Sequence, residues 1–152
     1  MCKNRIAILI VNGGCDPDQG HWLEMCLNQV KKHTLRDDYQ IYVWNNNIDD
    51  QWVGEFILQF RNVKLFQAEP DEELDHIHAV PLQRLYEHAR EDEAEIIVTL
   101  DSDAFPVQDG WLTELVNALD RGYKVAGIWR DEEEPAIHAY IHASCLCTSV
   151  EY

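Results

Sequence analysis

Basic side chains are scarce in this chain of 152 residues, which has 12 lysines and arginines against 28 aspartates and glutamates. The resulting net charge of −16 repels phosphate backbones and anionic lipid surfaces. A phosphorylated ligand could therefore bind to so acidic a protein only where a metal ion offsets the charge locally. The composition predicts no nucleic-acid partner, and it links any phosphate chemistry to a cation.

A disulfide framework, a signal peptide and long apolar runs are also missing. The five cysteines are Cys2, Cys15, Cys26, Cys145 and Cys147, an odd set without a pairing pattern. Cys145 and Cys147 lack the Cys-x-x-Cys spacing of zinc and thioredoxin-type sites, so we interpret them as small strand residues. No stretch approaches the roughly 18 apolar residues of a membrane span. We expect a cytoplasmic protein with no transmembrane segment.

The remaining composition is that of an ordinary globular protein, with 46% hydrophobic and 26% charged residues, and it predicts one domain over residues 1–152. Apolar runs predict strands over 5–11, 39–44, 62–66, 96–100, 123–129 and 136–143. Helical spacing predicts a helix that ends at His33 and others over about 52–60, 75–90 and 108–121. Strands that alternate with helices indicate an α/β fold around a mostly parallel sheet. We also predict that Trp22, Trp44, Trp52 and Trp129 belong to the core.

The strand predicted over 96–100 leads directly into Asp101-Ser102-Asp103. An uninterrupted apolar run suits a strand that is buried on both faces, and the carboxyl ends of such strands are where open α/β sheets place ligands. Two carboxylates so close together repel each other and gain most from a hard divalent cation beside them. The alternative is a solvated acidic turn, because aspartate is a common turn residue.

Two other predicted strands also end in polar residues, Asn12-Gly13-Gly14 and Asn45-Asn46-Asn47. In a parallel sheet these ends lie along the same edge as Asp101 and can line a shared crevice. Asparagine side chains there can hydrogen-bond to a base or ribose, and the paired carboxylates can hold a metal against a diphosphate. The first of these turns lacks the spacing of a glycine-rich phosphate loop, so the metal would make the phosphate contacts.

Four stretches of the chain match sequence elements of one known family. The Asp-x-Asp element at 101–103 is followed by Gly110-Trp111-Leu112 and an apolar helix. About twenty residues upstream, 78–82 is similar to a His-Gly-x-x-Leu element, and 41–46 stands at the place of a strand followed by Asp-Asn. His142-Ala143-Ser144 is similar to a late His-Pro-Ser element. Together these stretches span nearly the whole chain and resemble the inverting glycosyltransferases of family 2.

The resemblance implies a GT-A-like, Rossmann-related three-layer sandwich. It implies a nucleoside-diphosphate sugar donor, Mn²⁺ or Mg²⁺ as cofactor, and sugar transfer to an unknown glycan, lipid or protein acceptor with inversion. Asp103 would be the more direct metal ligand, and Asp101 would contact the ribose or the metal shell. The nucleotide-sugar contacts that it implies come from Val11, Asn12, Gly13, Asn45, Asn46, His78, Asp101 and Ser102. Among these, Asn45 and the backbone of 11–13 would face the base, and His78 would lie near the diphosphate.

Departures from the family pattern leave other functions open. Asn45 replaces the usual acid, and Ala79 replaces the glycine after the histidine. The acids at 132–134 match no motif for the catalytic base, which we expect beyond Tyr152, as in a domain truncated at its C-terminus. The alternatives are a catalytically incomplete domain that only binds nucleotide sugar or a partner protein, and a haloacid-dehalogenase-like phosphatase. His138 and His142 are either ordinary strand residues, or one of them completes a metal shell.

Overall fold

The computed structural model describes residues 5–13, 19–46, 51–67, 78–130 and 140–151, which form six strands and four helices. The strands are β1 (Ile6–Asn12), β2 (Tyr39–Asn45), β3 (Val63–Gln67), β4 (Ile96–Asp101), β5 (Val125–Arg130) and β6 (Tyr140–Ser149). The helices are α1 (Gln19–His33), α2 (Gln51–Ile57), α3 (Ala79–Glu91) and α4 (Trp111–Asp120). The strands form one sheet in the order β3-β2-β1-β4-β6-β5, in which β3, β2, β1 and β4 are parallel. Strand β6 runs antiparallel between β4 and β5.

The central strand β1 is buried along its whole length, because helices cover both faces of the sheet. Ile6, Ile8 and Ile10 pack with side chains of α1, α2 and α4, whereas Leu9 and Val11 face α3. Burial of each such side chain contributes about 1.5–3 kcal/mol. The structure therefore confirms the α/β three-layer fold, and it explains why this strand is continuously apolar instead of alternating.

Several element boundaries differ from the prediction, and the largest differences are at β6 and α3. Strand β6 continues to Ser149 instead of ending at 143, and it contains Cys145 and Cys147 as buried residues, as predicted. Helix α3 begins at Ala79, and Pro81 lies in its first turn, where a missing N–H leaves no helical hydrogen bond unmade. The remaining predicted residues, 75–77 and 136–139, lie outside the described part of the chain. None of the four described helices has the length and hydropathy needed to cross a lipid bilayer.

The prediction of four core tryptophans is wrong for two of them. Trp44 is buried in β2 and Trp52 packs against the core, but Trp22 is 43% exposed and Trp129 is 62% exposed. Trp129 lies in β5, the edge strand of the sheet, so less of the fold covers it. Aromatic character alone does not distinguish a central strand from an edge strand.

A buried hydroxyl and a surface ion pair meet at Asp92, just after α3. Its carboxylate accepts hydrogen bonds from Lys64 and from the Tyr42 hydroxyl, both at 2.5 Å, and these contacts lower the pKa of Asp92. We expect Asp92→Asn to reduce the free energy of unfolding at pH 7 by about 1 kcal/mol or less, because the pair is solvent-exposed. A lowered folded pKa means that this contribution is present at neutral pH and is lost as the pH falls below the ordinary aspartate range.

Urea titrations at pH 7 and pH 3 measure this contribution. The difference between wild type and Asp92→Asn should shrink at pH 3. Glu91→Gln, which removes a neighbouring charge that is mostly exposed, should show little effect at either pH. An Asp92→Asn effect that is larger at pH 3 than at pH 7 would contradict the assignment.

Candidate functional site

The polar ends of three strands meet at one edge of the sheet. Asn12 at the end of β1 is in register with Asn45 at the end of β2, and Val11 is in register with Asp101 at the end of β4. The backbone N–H of Asn46 donates to the carbonyl of Asn12 at 2.9 Å. Parallel pairing thus aligns residues that are far apart in the sequence, and it places them at the carboxyl edge where α/β sheets bind ligands.

The three asparagines form a buried support beneath this edge. Asn45 is fully buried and Asn12 is 1% exposed, and the Asn12 Nδ2 donates to the Asn45 Oδ1 at 2.9 Å. Within the described residues, the Oδ1 atoms of Asn12 and Asn46 make no hydrogen bond. The family resemblance implies that Asn45 faces a base, and this stays a prediction. In the structure its side chain is buried and accepts a hydrogen bond from Asn12.

Above this edge lies an open cleft of about 420 Å³. It joins the end of β1, the residue before α3, the loop after β4, and β6, and its lining residues are Val11, Gly13, His78, Asp101, Ser102, Asp103, His142 and Ala143. Five of the predicted contact residues therefore share one cleft with the predicted metal ligand Asp103. The three asparagines are not among its lining residues. His142, for which the sequence leaves open an ordinary strand role or a metal-ligand role, does line the cleft.

His78 and Asp101 face each other in this cleft. The His78 Nε2 lies 3.8 Å from the Asp101 Oδ1, which is too far for a direct hydrogen bond. Both side chains remain partly exposed, so water or a ligand can reach either group. Ser102 between the two aspartates is buried, and Asp103 is exposed. The site thus presents one partly exposed carboxylate, that of Asp101, and one exposed carboxylate, that of Asp103.

Two thiols lie beneath the cleft and remain protonated. The Cys26 Sγ approaches the carbonyl oxygen of Asp101 at 4.0 Å. Burial, aided by the charges of Asp103 and Asp101, raises the pKa of Cys26 to about 12. Burial and the charge of Asp101 likewise raise the pKa of Cys145 to about 11. Neither thiol supplies the thiolate that nucleophilic or metal-binding chemistry would require.

An irregularity in β6 brings His142 to the cleft. Gly127 of β5 pairs with Leu146, but the next residue, Ile128, pairs with His142, so β6 carries extra residues between these two positions. The Thr99 hydroxyl of β4 donates to the carbonyl of Ala143 at 2.6 Å and holds this segment. A Cβ on Gly127 would lie 2.3 Å from the carbonyl oxygen of Cys145, so only glycine fits beside it. Such bulges re-aim side chains, and here His142 lines the same cleft as Asp101.

The residues present fit a divalent cation that is shared with a ligand. Mg²⁺ and similar hard cations are commonly held by one or two carboxylates, several waters and substrate phosphates. Asp101 and Asp103 supply such carboxylates at the cleft. The described residues contain no group of three histidine, cysteine or acidic side chains that could hold a metal alone. His138 and the acids at 132–134 lie outside the described residues.

No protein-family model and no curated protein matches the chain by sequence. Solved structures do match it. The mannosyltransferase PcManGT from Pyrobaculum calidifontis, in complex with GDP-Man and Mn²⁺, superposes with a TM-score of 0.69 at 14% identity, over 95% of this chain and 44% of that one. S. aureus TarS 1–349 in complex with UDP-GlcNAc gives a TM-score of 0.64 at 15% identity, over 88% of this chain and 37% of that one.

The match to a third structure covers a larger share of that structure's chain. The 4-diphosphocytidyl-2C-methyl-D-erythritol synthase from Anaerococcus prevotii gives a TM-score of 0.58 at 12% identity, over 96% of this chain and 70% of that one. The chain thus spans less than half of the two transferases. Identities this low establish the fold alone, and membership of family 2 in particular stays a prediction. The chain has the GT-A-like α/β fold that these structures share.

Proposed function

We propose that this chain is the donor-binding unit of a metal-dependent, inverting glycosyltransferase, and that its cleft holds a nucleoside-diphosphate sugar. The observation that carries the proposal is the position of Asp101 and Asp103 in one cleft with His78, at the carboxyl edge of a GT-A-like sheet. The named neighbours support it, because two of them are described in complex with UDP-GlcNAc or with GDP-Man and Mn²⁺.

Each cleft residue has a chemical role in this proposal. Asp103, which is exposed, would bind Mn²⁺ or Mg²⁺ directly, and Asp101 would contact the ribose or the metal shell. The bound cation would offset the charge of the diphosphate and of the departing nucleoside diphosphate. The backbone at Val11 and Gly13 would lie close to the nucleotide, and His78 would lie near the diphosphate. The three asparagines would support this edge from below, because they are buried and do not line the cleft.

The proposal covers donor binding more fully than transfer. We assign no catalytic base among the described residues, and the acceptor is a glycan, lipid or protein that the cleft does not identify. A domain that binds nucleotide sugar without transferring it is therefore the main alternative. The free thiols Cys26, Cys145 and Cys147 support a reducing compartment such as the cytoplasm. The structures named above include no phosphatase, so we set the phosphatase alternative aside.

Calorimetric titration of UDP and GDP, each with and without Mn²⁺, tests donor binding. We expect binding that requires the metal and that weakens by about tenfold or more in Asp103→Asn, because the variant removes a charged ligand from the cation. Asp37→Asn is a matched control, since it removes one carboxylate at the opposite edge of the sheet, just before β2. It should bind like the wild type.

Two outcomes would contradict the proposal. One is the absence of metal-dependent heat with either nucleotide, and the other is equal binding by Asp103→Asn and Asp37→Asn. Incubation of the chain with UDP-GlcNAc or GDP-mannose and Mn²⁺ then separates the alternatives. Release of nucleoside diphosphate indicates a competent enzyme, whereas binding without release indicates a binding domain.

A further inference from the structure

The imidazole of His142 is held in one tautomer by its own strand. The backbone N–H of Ser144 donates to the His142 Nδ1 at 3.1 Å, and the Ser144 hydroxyl lies 2.7 Å from the same nitrogen. A backbone N–H can only donate, so Nδ1 is the acceptor and the neutral ring carries its proton on Nε2. Within the described residues Nε2 makes no hydrogen bond. The ring therefore offers an N–H donor whose position is fixed from its other side.

The irregular pairing of β6 makes this arrangement possible. Ser144 lies among the extra residues between the partners of Gly127 and Ile128, so its N–H has no ladder partner in β5. The adjacent carbonyl, that of Ala143, accepts from Thr99 of β4. The segment is thus tied to β4 on one side and to the imidazole on the other. Both contacts fix His142 at the rim of the cleft that Asp101 and Asp103 share.

Donor groups are scarce in this cleft. Its side chains include two carboxylates and three residues without polar side-chain atoms, Val11, Gly13 and Ala143. Ser102 is buried, and His78 faces Asp101. N–H donors would stabilise an anionic ligand in addition to a cation, because ionised carboxylates repel the ligand's oxygens and cannot donate hydrogen bonds to them. His142 is the cleft side chain whose donor is both fixed in tautomer and free of a protein acceptor among the described residues.

We propose that the Nε2–H of His142 donates a hydrogen bond to a phosphate oxygen of the bound nucleoside diphosphate. This inference rests on the proposed function, since it concerns the same cleft and the same ligand. His142 acts in it as a binding residue that complements the cation: Asp103 would hold the cation, which would offset the phosphate charge, and the imidazole takes a phosphate oxygen on the β6 side. Ser144 is a positioning residue, because it acts through the tautomer of His142.

Two substitutions at the same position separate this role from a structural one. Glutamine places its amide N–H near the position of Nε2, whereas asparagine places its amide near that of Nδ1 and has nothing at the Nε2 position. If His142 binds phosphate, His142→Gln should retain UDP affinity within about threefold, and His142→Asn should lose about tenfold, the loss expected for one hydrogen bond to a charged group. If the contact with Ser144 is what matters, the order is reversed.

Calorimetry with UDP and Mn²⁺ measures these affinities, and thermal unfolding checks that both variants are folded. Equal affinity of His142→Asn and wild type, or better binding by His142→Asn than by His142→Gln, would overturn the inference while the proposed function stands. Failure of the wild type to bind UDP or GDP with Mn²⁺ would overturn the proposed function first. As an independent readout, nitrogen chemical shifts of the His142 ring should show a protonated Nε2 in the free protein, and the Nε2 signal should move when UDP is added.

Discussion

Replacement of Gly127 by alanine should lower the free energy of unfolding by about 3 kcal/mol, the upper part of the usual range for an overpacked site. The new Cβ would lie 2.3 Å from the carbonyl oxygen of Cys145 and 2.8 Å from the Cγ2 of Ile141. The first of these is a backbone atom, so relief requires movement of β6 and not a side-chain rotation. For a chain of this size the expected fall in Tm is roughly 10 °C.

The same substitution at another glycine provides the control. Gly54 lies within α2, and a Cβ there would meet nothing within 4 Å. Gly54→Ala should therefore stabilise the protein by about 0.5–1 kcal/mol, because alanine loses less conformational freedom in a helix. Thermal and urea unfolding of both variants measure the two effects. A Gly127→Ala variant with the Tm and the free energy of unfolding of the wild type would contradict the close approach of Gly127 to the Cys145 carbonyl oxygen.

The second large effect is expected at Asn45. Replacement by alanine leaves the buried Nδ2 of Asn12 without its acceptor, which costs about 1–3 kcal/mol. The asparagine pair lies directly beneath the cleft, so the loss should also weaken nucleotide binding in the variant. Urea titration measures the first effect, and calorimetry with UDP and Mn²⁺ measures the second.

A double-mutant cycle tests whether the two asparagines act together. Asn12→Ala and Asn45→Ala each break the 2.9 Å contact, so the double variant should lose less stability than the sum of the single variants. A coupling of about 0.5 kcal/mol or more is expected for residues in direct contact. Additive losses would show that the amide contact contributes nothing beyond the burial of each side chain.

The sequence predicts the centre of this fold better than its rim. The continuous apolar runs of β1 and β4 identify them as doubly covered strands, and the polar residues that follow them locate the ligand edge. Those inferences depend only on the order of residues within one strand and the turn after it, and contacts between distant elements do not alter that order. Trp129 shows the limit, because the same aromatic content suits a central strand and an edge strand alike, and only the strand order decides its burial.

The site could be predicted in part for the same reason. Asp101 and Asp103 follow an apolar strand, which is a local signal. By contrast, the burial of Asn45 depends on its contact with Asn12, 33 residues earlier in the chain. The position of His142 depends on a register shift against β5, and the residue periodicity of β6 does not predict that shift. The similarity of 142–144 to a family element was the available signal, and it did not specify where the imidazole would lie.

The register between β1 and β4 has a consequence for how the chain folds. Val11 and Asp101 are partners in the sheet although they lie 90 positions apart in the sequence. Parallel pairings over such distances form late and slowly, because the loop between them must close first. A contiguous piece of the chain contains both Val11 and Asp101 only if it is longer than 90 residues, so the cleft forms only when most of the chain has folded. A ligand that binds only the folded protein raises the free energy of unfolding by about 2.7 kcal/mol when the ligand concentration is a hundred times Kd. A ligand bound in the cleft would then contact both β1 and β4 and hold these two strands together.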